Sequence, residues 1–166
     1  MTSAGITATV PFTQMSVDDW DRVLQTNLTG TFHCIQAAIP DILEAGWGRI
    51  VTISSTAAQG GAPNQAHYVA SKGGVIALTK AVAVEFASKG ITANTIPPSI
   101  IDTPMAREGE TRGDVPGGGM EQLAKMTPVR RVGLPEDIAA ACEFLCSDDA
   151  SFITGQQINV NGGWYL

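Results

Sequence analysis

The sequence predicts an α/β protein in which a parallel sheet is covered by helices. Residues 49–54 and 91–96 are short, β-branched segments of the kind that form buried strands, and residues 156–160 predict a third strand. Helical periodicity runs through the segments before, between and after the first two strands. Strands that alternate with long helices pair in parallel, because each helix returns the chain to the same end of the sheet.

The composition is that of one globular domain, which we place at residues 1–166. The chain is 44% hydrophobic and 16% charged, an ordinary balance for a folded domain of this length. Its formal net charge of −6, with scattered Lys and Arg, argues against a nucleic-acid or anionic-membrane surface. No apolar run approaches the roughly 20 residues that a membrane span requires. The three cysteines lack metal-ligand spacing, so we expect buried thiols, no metal site and a cytoplasmic location.

Helical spacing predicts where the long helices lie. Apolar residues recur at this spacing over residues 16–46, and Asn27, Gly30 and Pro40 are expected to loosen or kink that helix. A second helix is predicted over residues 68–88.

Two further segments follow the second strand. Pro135, with acidic residues in the first turn, predicts a third helix to about residue 147. Residues 105–126 hold several glycines and little periodicity, so we expect a mobile substrate flap with a short helix inside it.

Tyr68 and Lys72 form the chemically most informative pair. They are four residues apart on a predicted helix, so they lie on one face. A phenol has a reference pKa of about 10, and a fixed cation beside it is expected to lower the pKa of Tyr68 towards working pH. Ser55 lies thirteen residues before Tyr68, at the carboxyl end of a predicted strand, where parallel sheets bind ligands. The pattern indicates a site for proton transfer. Ser54 faces the opposite side of the strand, so a structural role is favoured for it.

With these motifs the chain resembles the short-chain dehydrogenase/reductase family. The matching stretches follow the family's order almost from end to end, at residues 27–30, 53–55, 68–72, 94–98, 101–104, 131–139, 154–156 and 161–163. The resemblance implies a partial Rossmann-like, doubly wound parallel sheet of about three strands. It also implies an NAD(P)-dependent oxidoreductase that interconverts a secondary alcohol and a ketone by hydride transfer. Resemblance to 3-oxoacyl-thioester reductases and to small alcohol or sugar dehydrogenases is about equal.

The resemblance assigns four catalytic residues. Tyr68 would be the acid for carbonyl reduction and the base for alcohol oxidation. Lys72 would lower the pKa of Tyr68 and hold the nicotinamide ribose. Ser55 would donate a hydrogen bond to the substrate oxygen, and Asn27 would position a water that relays protons to Lys72.

The resemblance also implies contacts with the cofactor and the substrate. The cofactor-binding residues would be Tyr68, Lys72, Pro98, Ile101 and Thr103, of which Ile101 and Thr103 clasp the nicotinamide carboxamide. The expected substrate-binding residues are Ser55, Gln59, Tyr68 and Met105. The choice between NAD and NADP cannot be read from this sequence.

The sequence departs from the family at its start and at Ser99. The family begins with a strand, a Gly-rich turn and a helix that receive the cofactor pyrophosphate, and this segment is missing here; we estimate that roughly 80 to 90 residues are lacking. The strand that ends near Ser55 is then expected to be a bare, apolar sheet edge. Ser99 stands where the family usually has glycine.

Two classes of function therefore stay open. The first is the oxidoreductase, as a homodimer or homotetramer. The second is a truncated, catalytically incompetent chain that serves as a dimerisation or interaction module. In structural terms the chain is a fragment, is completed by a partner, or folds as a reduced unit with a rearranged sheet edge.

Overall fold

The computed structural model describes residues 1–113 and 118–165 and confirms the α/β class. Its two full strands are β1, Gly48–Ile53, and β2, Ile91–Ile96, which pair in parallel along their whole length. The helices of the described ranges are α1 (Val17–Leu24), α2 (Gly30–Ala45), α3 (Ala57–Gly60), α4 (Ala66–Phe86), α5 (Pro104–Arg112), α6 (Met120–Met126) and α7 (Pro135–Cys146), with short 3-10 turns at Phe12–Gln14, Ala87–Lys89 and Asp148–Ala150. None of them is long and apolar enough to cross a membrane.

The free side of β1 is not the bare edge that the sequence predicted. Thr2 forms a parallel bridge with Thr52. The Thr2 amide donates to the Val51 carbonyl at 3.0 Å, and the Ile53 amide donates to the Thr2 carbonyl at 3.1 Å. The N-terminal segment therefore supplies one rung of pairing at this edge.

The predicted third strand is reduced to one bridge, between Thr95 and Gln157. The side chain of Asn94 competes for the neighbouring backbone groups: its Nδ2 donates to the Ile153 carbonyl, and its Oδ1 accepts from the Gln156 amide. These bonds satisfy polar groups that a longer ladder would have paired.

The predicted long first helix is divided by a π-helical turn, Gln25–Thr29, which joins α1 to α2. The predicted kink therefore falls at Asn27, whereas Pro40 lies inside a continuous α2. Two threonine hydroxyls bind backbone carbonyls around the turn, Thr26 to Arg22 and Thr31 to Asn27. Such side-chain bonds compete with the regular helical ladder, and single π turns are frequent at functional sites.

Two apolar clusters cover the two faces of the sheet. Residues of α2 and α4 pack with Ile50 and Ile91 on one face, and residues of α7 pack with Val51 and Ile96 on the other. The alternation of Ile50 and Val51 follows from the two-residue period of a strand. This layering places the start of α4 beside the carboxyl ends of both strands.

The predicted flap holds two helices, α5 and α6, where one short helix was expected. Residues 114–117 of this segment lie outside the described residues. Thr103 begins α5 by accepting a hydrogen bond from the Ala106 amide, and Pro104 occupies the first helical position.

Candidate active site

Lys72 is buried on the second turn of α4, where its ammonium donates a hydrogen bond to the carbonyl oxygen of Ile53 at 2.9 Å. The bond joins the helix to the last residue of β1. Burial disfavours the charged form and lowers the pKa of Lys72 to about 8. An ammonium has three N–H donors, so two remain beyond the bond to Ile53.

Tyr68 lies one turn before Lys72, half-buried, with its ring centroid 5.9 Å from the Lys72 nitrogen. Burial raises the pKa of Tyr68 above its usual value, and a side-chain hydrogen bond with Ser55 opposes that rise. The expected lowering of this pKa by Lys72 is therefore wrong for this structure. The physical reason is desolvation, which is the largest influence on the phenol and favours its neutral form.

Ser55 follows β1 and faces Tyr68. Its Oγ accepts a hydrogen bond from the Ala57 amide at 3.1 Å, which fixes the side chain at the start of α3. Because a hydroxyl has one hydrogen to donate, this geometry leaves the Ser55 O–H free to donate towards Tyr68 or a bound oxygen. Ser54, on the other side of the strand, is buried and donates to the Lys72 carbonyl at 2.9 Å, which is the structural role that the alternation predicts.

Asn27 is fully buried in the π turn and is held by three hydrogen bonds. Its Oδ1 accepts from the Ile6 amide at 2.8 Å, and its Nδ2 donates to the Ile6 carbonyl and to Ser71 Oγ, both at 3.0 Å. A Cβ on Gly5 would lie 3.2 Å from Asn27 Oδ1 and 3.4 Å from Lys72 Nζ, so these two side chains approach each other across Gly5. The water relay through Asn27 stays a prediction.

Gly5 and Ile6 are site residues that the sequence analysis missed. They lie more than 20 residues before Asn27 in a short turn without helical or strand periodicity, so no local pattern marks them. The available signal was the glycine, which permits the close approach of a backbone to buried side chains.

The segment after β2 lies at the same end of the sheet. The Pro98 carbonyl accepts from the Thr56 amide at 2.9 Å, which ties this segment to the loop that follows Ser55. Gly133 pairs with the backbone of Ile100 and Asp102, so the N–H and C=O of Ile101 itself face the other way.

The polar groups left over here fit the nicotinamide half of a cofactor. Within residues 1–113 and 118–165, the backbone N–H and C=O of Ile101 and the O–H of Thr103 have no hydrogen-bond partner. An amide pair and a hydroxyl match the needs of a carboxamide, and the two remaining Lys72 donors match ribose hydroxyls. Lys72, Ile101 and Thr103 therefore have polar groups that are chemically suited to hold that half of the cofactor, whereas cofactor contacts of Tyr68 and Pro98 stay predictions.

Gln59 forms its hydrogen bonds with residues near the C-terminus, and its role in substrate binding stays a prediction. Its Nε2 donates to Asn159 Oδ1 at 2.9 Å. With Lys80 and Tyr165 it lines an open groove of about 510 Å³. Four residues of α4 also line this groove: Gly73, Ile76, Ala77 and Lys80. Met105 is exposed on α5.

His67, immediately before Tyr68, is fully buried, and its Nδ1 accepts a hydrogen bond from the Tyr68 amide at 2.8 Å. It therefore packs at the start of α4. The described residues contain no group of three or more His, Cys, Asp or Glu side chains that could hold a metal ion.

The sequence of the chain is similar to a known protein family and to enzymes of known name. A family model described as enoyl-(acyl carrier protein) reductase matches residues 1–165. The chain is 44% identical over 166 residues to the 3-oxoacyl-(acyl-carrier-protein) reductase FabG of Staphylococcus aureus, and 41% identical over 164 residues to the acetoacetyl-CoA reductase of Cupriavidus necator. Each match covers 99% of this chain and 64% of the relative.

Solved structures give the same picture. ElxO with NADP bound matches with a TM-score of 0.87 and 32% identity, over 98% of this chain and 64% of that one. A tyrosine-to-phenylalanine variant of ElxO with NADPH bound matches to the same extent. The chain thus spans 64% of the length of these relatives and structures.

Proposed function

The chain belongs to the short-chain dehydrogenase/reductase family, and we propose that it serves an NAD(P)-dependent reaction that interconverts a secondary alcohol and a ketone. The observation that carries the proposal is the convergence of Ser55, Tyr68 and Lys72 at the carboxyl end of β1, where Ser55 acts on the pKa of Tyr68 and the Lys72 ammonium is bound to Ile53. Asn27 is bound into the same cluster through Ser71, the residue before Lys72.

The proton chemistry follows from the states of these groups. Burial raises the pKa of Tyr68, so at neutral pH the phenol keeps its proton and can donate it to a carbonyl oxygen. Ser55 donates a hydrogen bond to the same oxygen and stabilises the negative charge that develops there. Lys72, with a pKa of about 8, is mostly protonated at neutral pH and provides a cation beside the phenol. A bound nicotinamide supplies or accepts the hydride.

The residues around this cluster are expected to bind the cofactor, contact the substrate or cover it. Pro98, Ile101 and Thr103, with Lys72, would hold the nicotinamide half of NAD or NADP. Ser55 and Tyr68 would contact the substrate, with Met105 at the edge. Residues 105–126, which include most of α5 and all of α6, would cover the substrate as a flap.

The names of the relatives support a substrate class. FabG and the acetoacetyl-CoA reductase both carry names of reductases for 3-oxoacyl thioesters. We infer a short 3-oxoacyl thioester as the first substrate to test, with small secondary alcohols or sugars as the alternative class.

Exposed apolar side chains favour a second role, as a self-associating module. Phe32 on α2 and Val84 on α4 are 40% and 84% exposed, and Phe144 and Phe152 at the end of α7 and beyond it are 48% and 101% exposed. Exposed apolar side chains are stabilised when another chain covers them. A homodimer or homotetramer is consistent with either role.

Titration with cofactor distinguishes the two functions. NADH and NADPH are each added to the purified 166-residue chain while tryptophan and cofactor fluorescence are followed, and acetoacetyl-CoA is then added. Saturable binding at about micromolar cofactor, followed by oxidation of the reduced cofactor, supports the oxidoreductase. No binding at about millimolar cofactor, together with a concentration-dependent dimer or tetramer in light scattering, supports the module.

A further inference from the structure

Ser99 makes a contact between two parts of the chain that are far apart in sequence. It lies in the segment between β2 and α5, and its Oγ donates a hydrogen bond to the Asn161 carbonyl at 3.0 Å. Asn161 begins the turn at residues 161–165, which we call the C-terminal turn. Glycine, the usual residue of the family at position 99, has no hydroxyl to form this bond.

The C-terminal turn is an ordered unit on its own. Asn161 is buried; its Oδ1 accepts from the Gly163 amide at 2.9 Å, and its Nδ2 donates to the Tyr165 carbonyl at 2.7 Å. The Trp164 amide donates to the Asn161 carbonyl at 3.1 Å, so this carbonyl accepts both from the turn and from Ser99. Movement of the turn would therefore act directly on Ser99.

Gly162 docks the turn on the loop after α6. Its φ of +62° lies in the left-handed region, and a Cβ there would lie 2.8 Å from Thr127 and from Val129. The Gly162 carbonyl accepts from the Val129 amide at 3.2 Å. The C-terminal turn is thus fixed to the loop that directly follows the proposed flap.

Packing does not fill the space between the turn and the Ser99 segment. A cavity of about 120 Å³ lies there, lined by Ser99, Ile101, Thr127, Val129, Asn161 and Gly162 among others. Ser99 and Asn161 both line this cavity. Their hydrogen bond therefore joins the two segments directly where side-chain packing between them is incomplete.

The same segment contains the groups proposed to hold the nicotinamide. It is tied to the Ser55 loop through the Pro98 carbonyl and to Gly133 through Ile100 and Asp102. We propose that Ser99 is a positioning residue, whose bond to Asn161 couples the C-terminal turn to residues 98–103 and fixes Ile101 and Thr103 for cofactor binding. The coupling rests on the hydrogen bonds alone, whereas its effect on the cofactor rests on the proposed function.

Amide hydrogen exchange of the full chain tests the coupling without cofactor. Ser99→Ala removes the hydroxyl and keeps the Cβ. The amides of Asp102, Gly133 and Trp164 are expected to exchange about fivefold faster in this variant, because loss of one neutral hydrogen bond shifts a local opening equilibrium by about that factor. Ser147→Ala is the matched control, since its Oγ also donates to a carbonyl, that of Phe144 at 2.7 Å, but at an exposed helix end. Unchanged exchange in Ser99→Ala, or equal acceleration in Ser147→Ala, would overturn the coupling.

Kinetics test the positioning role separately. In Ser99→Ala the KM for the nicotinamide cofactor is expected to rise about three- to tenfold while kcat changes by less than about twofold, because binding is weakened and the proton-transfer groups stay in place. Faster exchange with an unchanged KM would overturn the positioning role. A wild-type chain that binds no cofactor would overturn the proposed function, and the exchange experiment would still decide the coupling.

Discussion

The ammonium of Lys72 donates a hydrogen bond to the carbonyl oxygen of Ile53 across 2.9 Å, from the second turn of α4 to the last residue of β1. This contact places a buried cation where parallel α/β sheets bind ligands, outside the carboxyl ends of their strands. The same burial makes Lys72 a titratable group whose charge state differs between the folded and unfolded chain.

Removal of Lys72 should change how stability depends on pH. Burial lowers the pKa of Lys72 from 10.5 to about 8, so between these values the unfolded chain binds more protons than the folded one. The free energy of unfolding of the wild type should therefore rise with pH above 8, relative to Lys72→Met, by at most about 1.4 kcal/mol per pH unit. Urea unfolding of both proteins from pH 7 to 9.5 measures this difference. Parallel pH profiles would show that the folded-state pKa of Lys72 is not lowered.

The ionisation of Tyr68 can be observed alone, because the chain has only two tyrosines. In Tyr165→Phe, the ultraviolet absorbance of tyrosinate reports Tyr68. Since burial raises the pKa of this phenol, its titration midpoint without cofactor should lie above the usual value of 10.0. Tyr68→Phe serves as the complementary variant and should lose that transition. A midpoint below 10 in Tyr165→Phe would instead support the lowering by Lys72 that the sequence predicted.

Loss of the Asn27 amide should destabilise the fold around the site. Asn27→Ala removes a fully buried side chain and leaves the half-buried amide and carbonyl of Ile6 without their partner, and an unpaired buried group costs about 1–3 kcal/mol. We expect a loss of about 2–4 kcal/mol in the free energy of unfolding, together with faster hydrogen exchange of the Ile6 amide. Gln25→Ala, at an exposed position in the same π turn, should change stability by less than about 0.5 kcal/mol. Equal effects of the two substitutions would contradict the role assigned to Asn27.

Two adjacent glycines of α4 test how closely this helix packs on the π turn. A Cβ on Gly74 would lie 2.6 Å from Leu28 Cδ2, whereas a Cβ on Gly73 meets no atom within 4 Å. Gly74→Ala should therefore lower the free energy of unfolding by about 1–3 kcal/mol through overpacking. Gly73→Ala should raise it by about 0.5–1 kcal/mol, because alanine loses less backbone entropy in a helix. Thermal unfolding of both variants gives the comparison, and a neutral or stabilising Gly74→Ala would contradict the close approach.

Much of the architecture could be predicted because it depends on local periodicity. The predicted bounds of three elements agree with the structure to within two residues at both ends. These elements are the strand at residues 91–96, the helix that begins near Tyr68 and the helix that begins at Pro135. Their signals are regular apolar spacing and a proline at the first helical turn, which depend on few distant contacts.

The differences arise where distant residues decide the outcome. Residues 156–160 have the composition of a strand, but the Asn94 side chain binds backbone groups at 153 and 156. Thr2 has no strand pattern around it, yet it pairs with the edge of β1. The π turn at Asn27 could be located only as a general kink among three candidate residues, since its geometry depends on threonine hydroxyls and on Ile6.

In the candidate site too, features that depend on local sequence could be predicted, and features that depend on distant residues could not. Ser55, Tyr68 and Lys72 could be proposed together because one helix and one strand end determine their placement. The direction of the Tyr68 pKa shift could not be predicted, because it depends on how much burial desolvates the phenol in the folded chain. The hydrogen bond from the Gln59 amide to Asn159, a hundred residues away in the sequence, could not be predicted either, and a role of Gln59 in substrate binding stays a prediction.

The most direct measurement is the turnover of a 3-oxoacyl thioester by the wild type and by Tyr68→Phe, with both proteins shown to be folded by circular dichroism. Oxidation of NADPH or NADH in the presence of acetoacetyl-CoA gives the rate. The wild type should reduce the ketone, and Tyr68→Phe should lose about 10²–10⁴-fold in kcat while keeping its affinity for the cofactor, because only the proton donor is removed. Full activity in a folded Tyr68→Phe protein would contradict the assignment of Tyr68 as the proton donor.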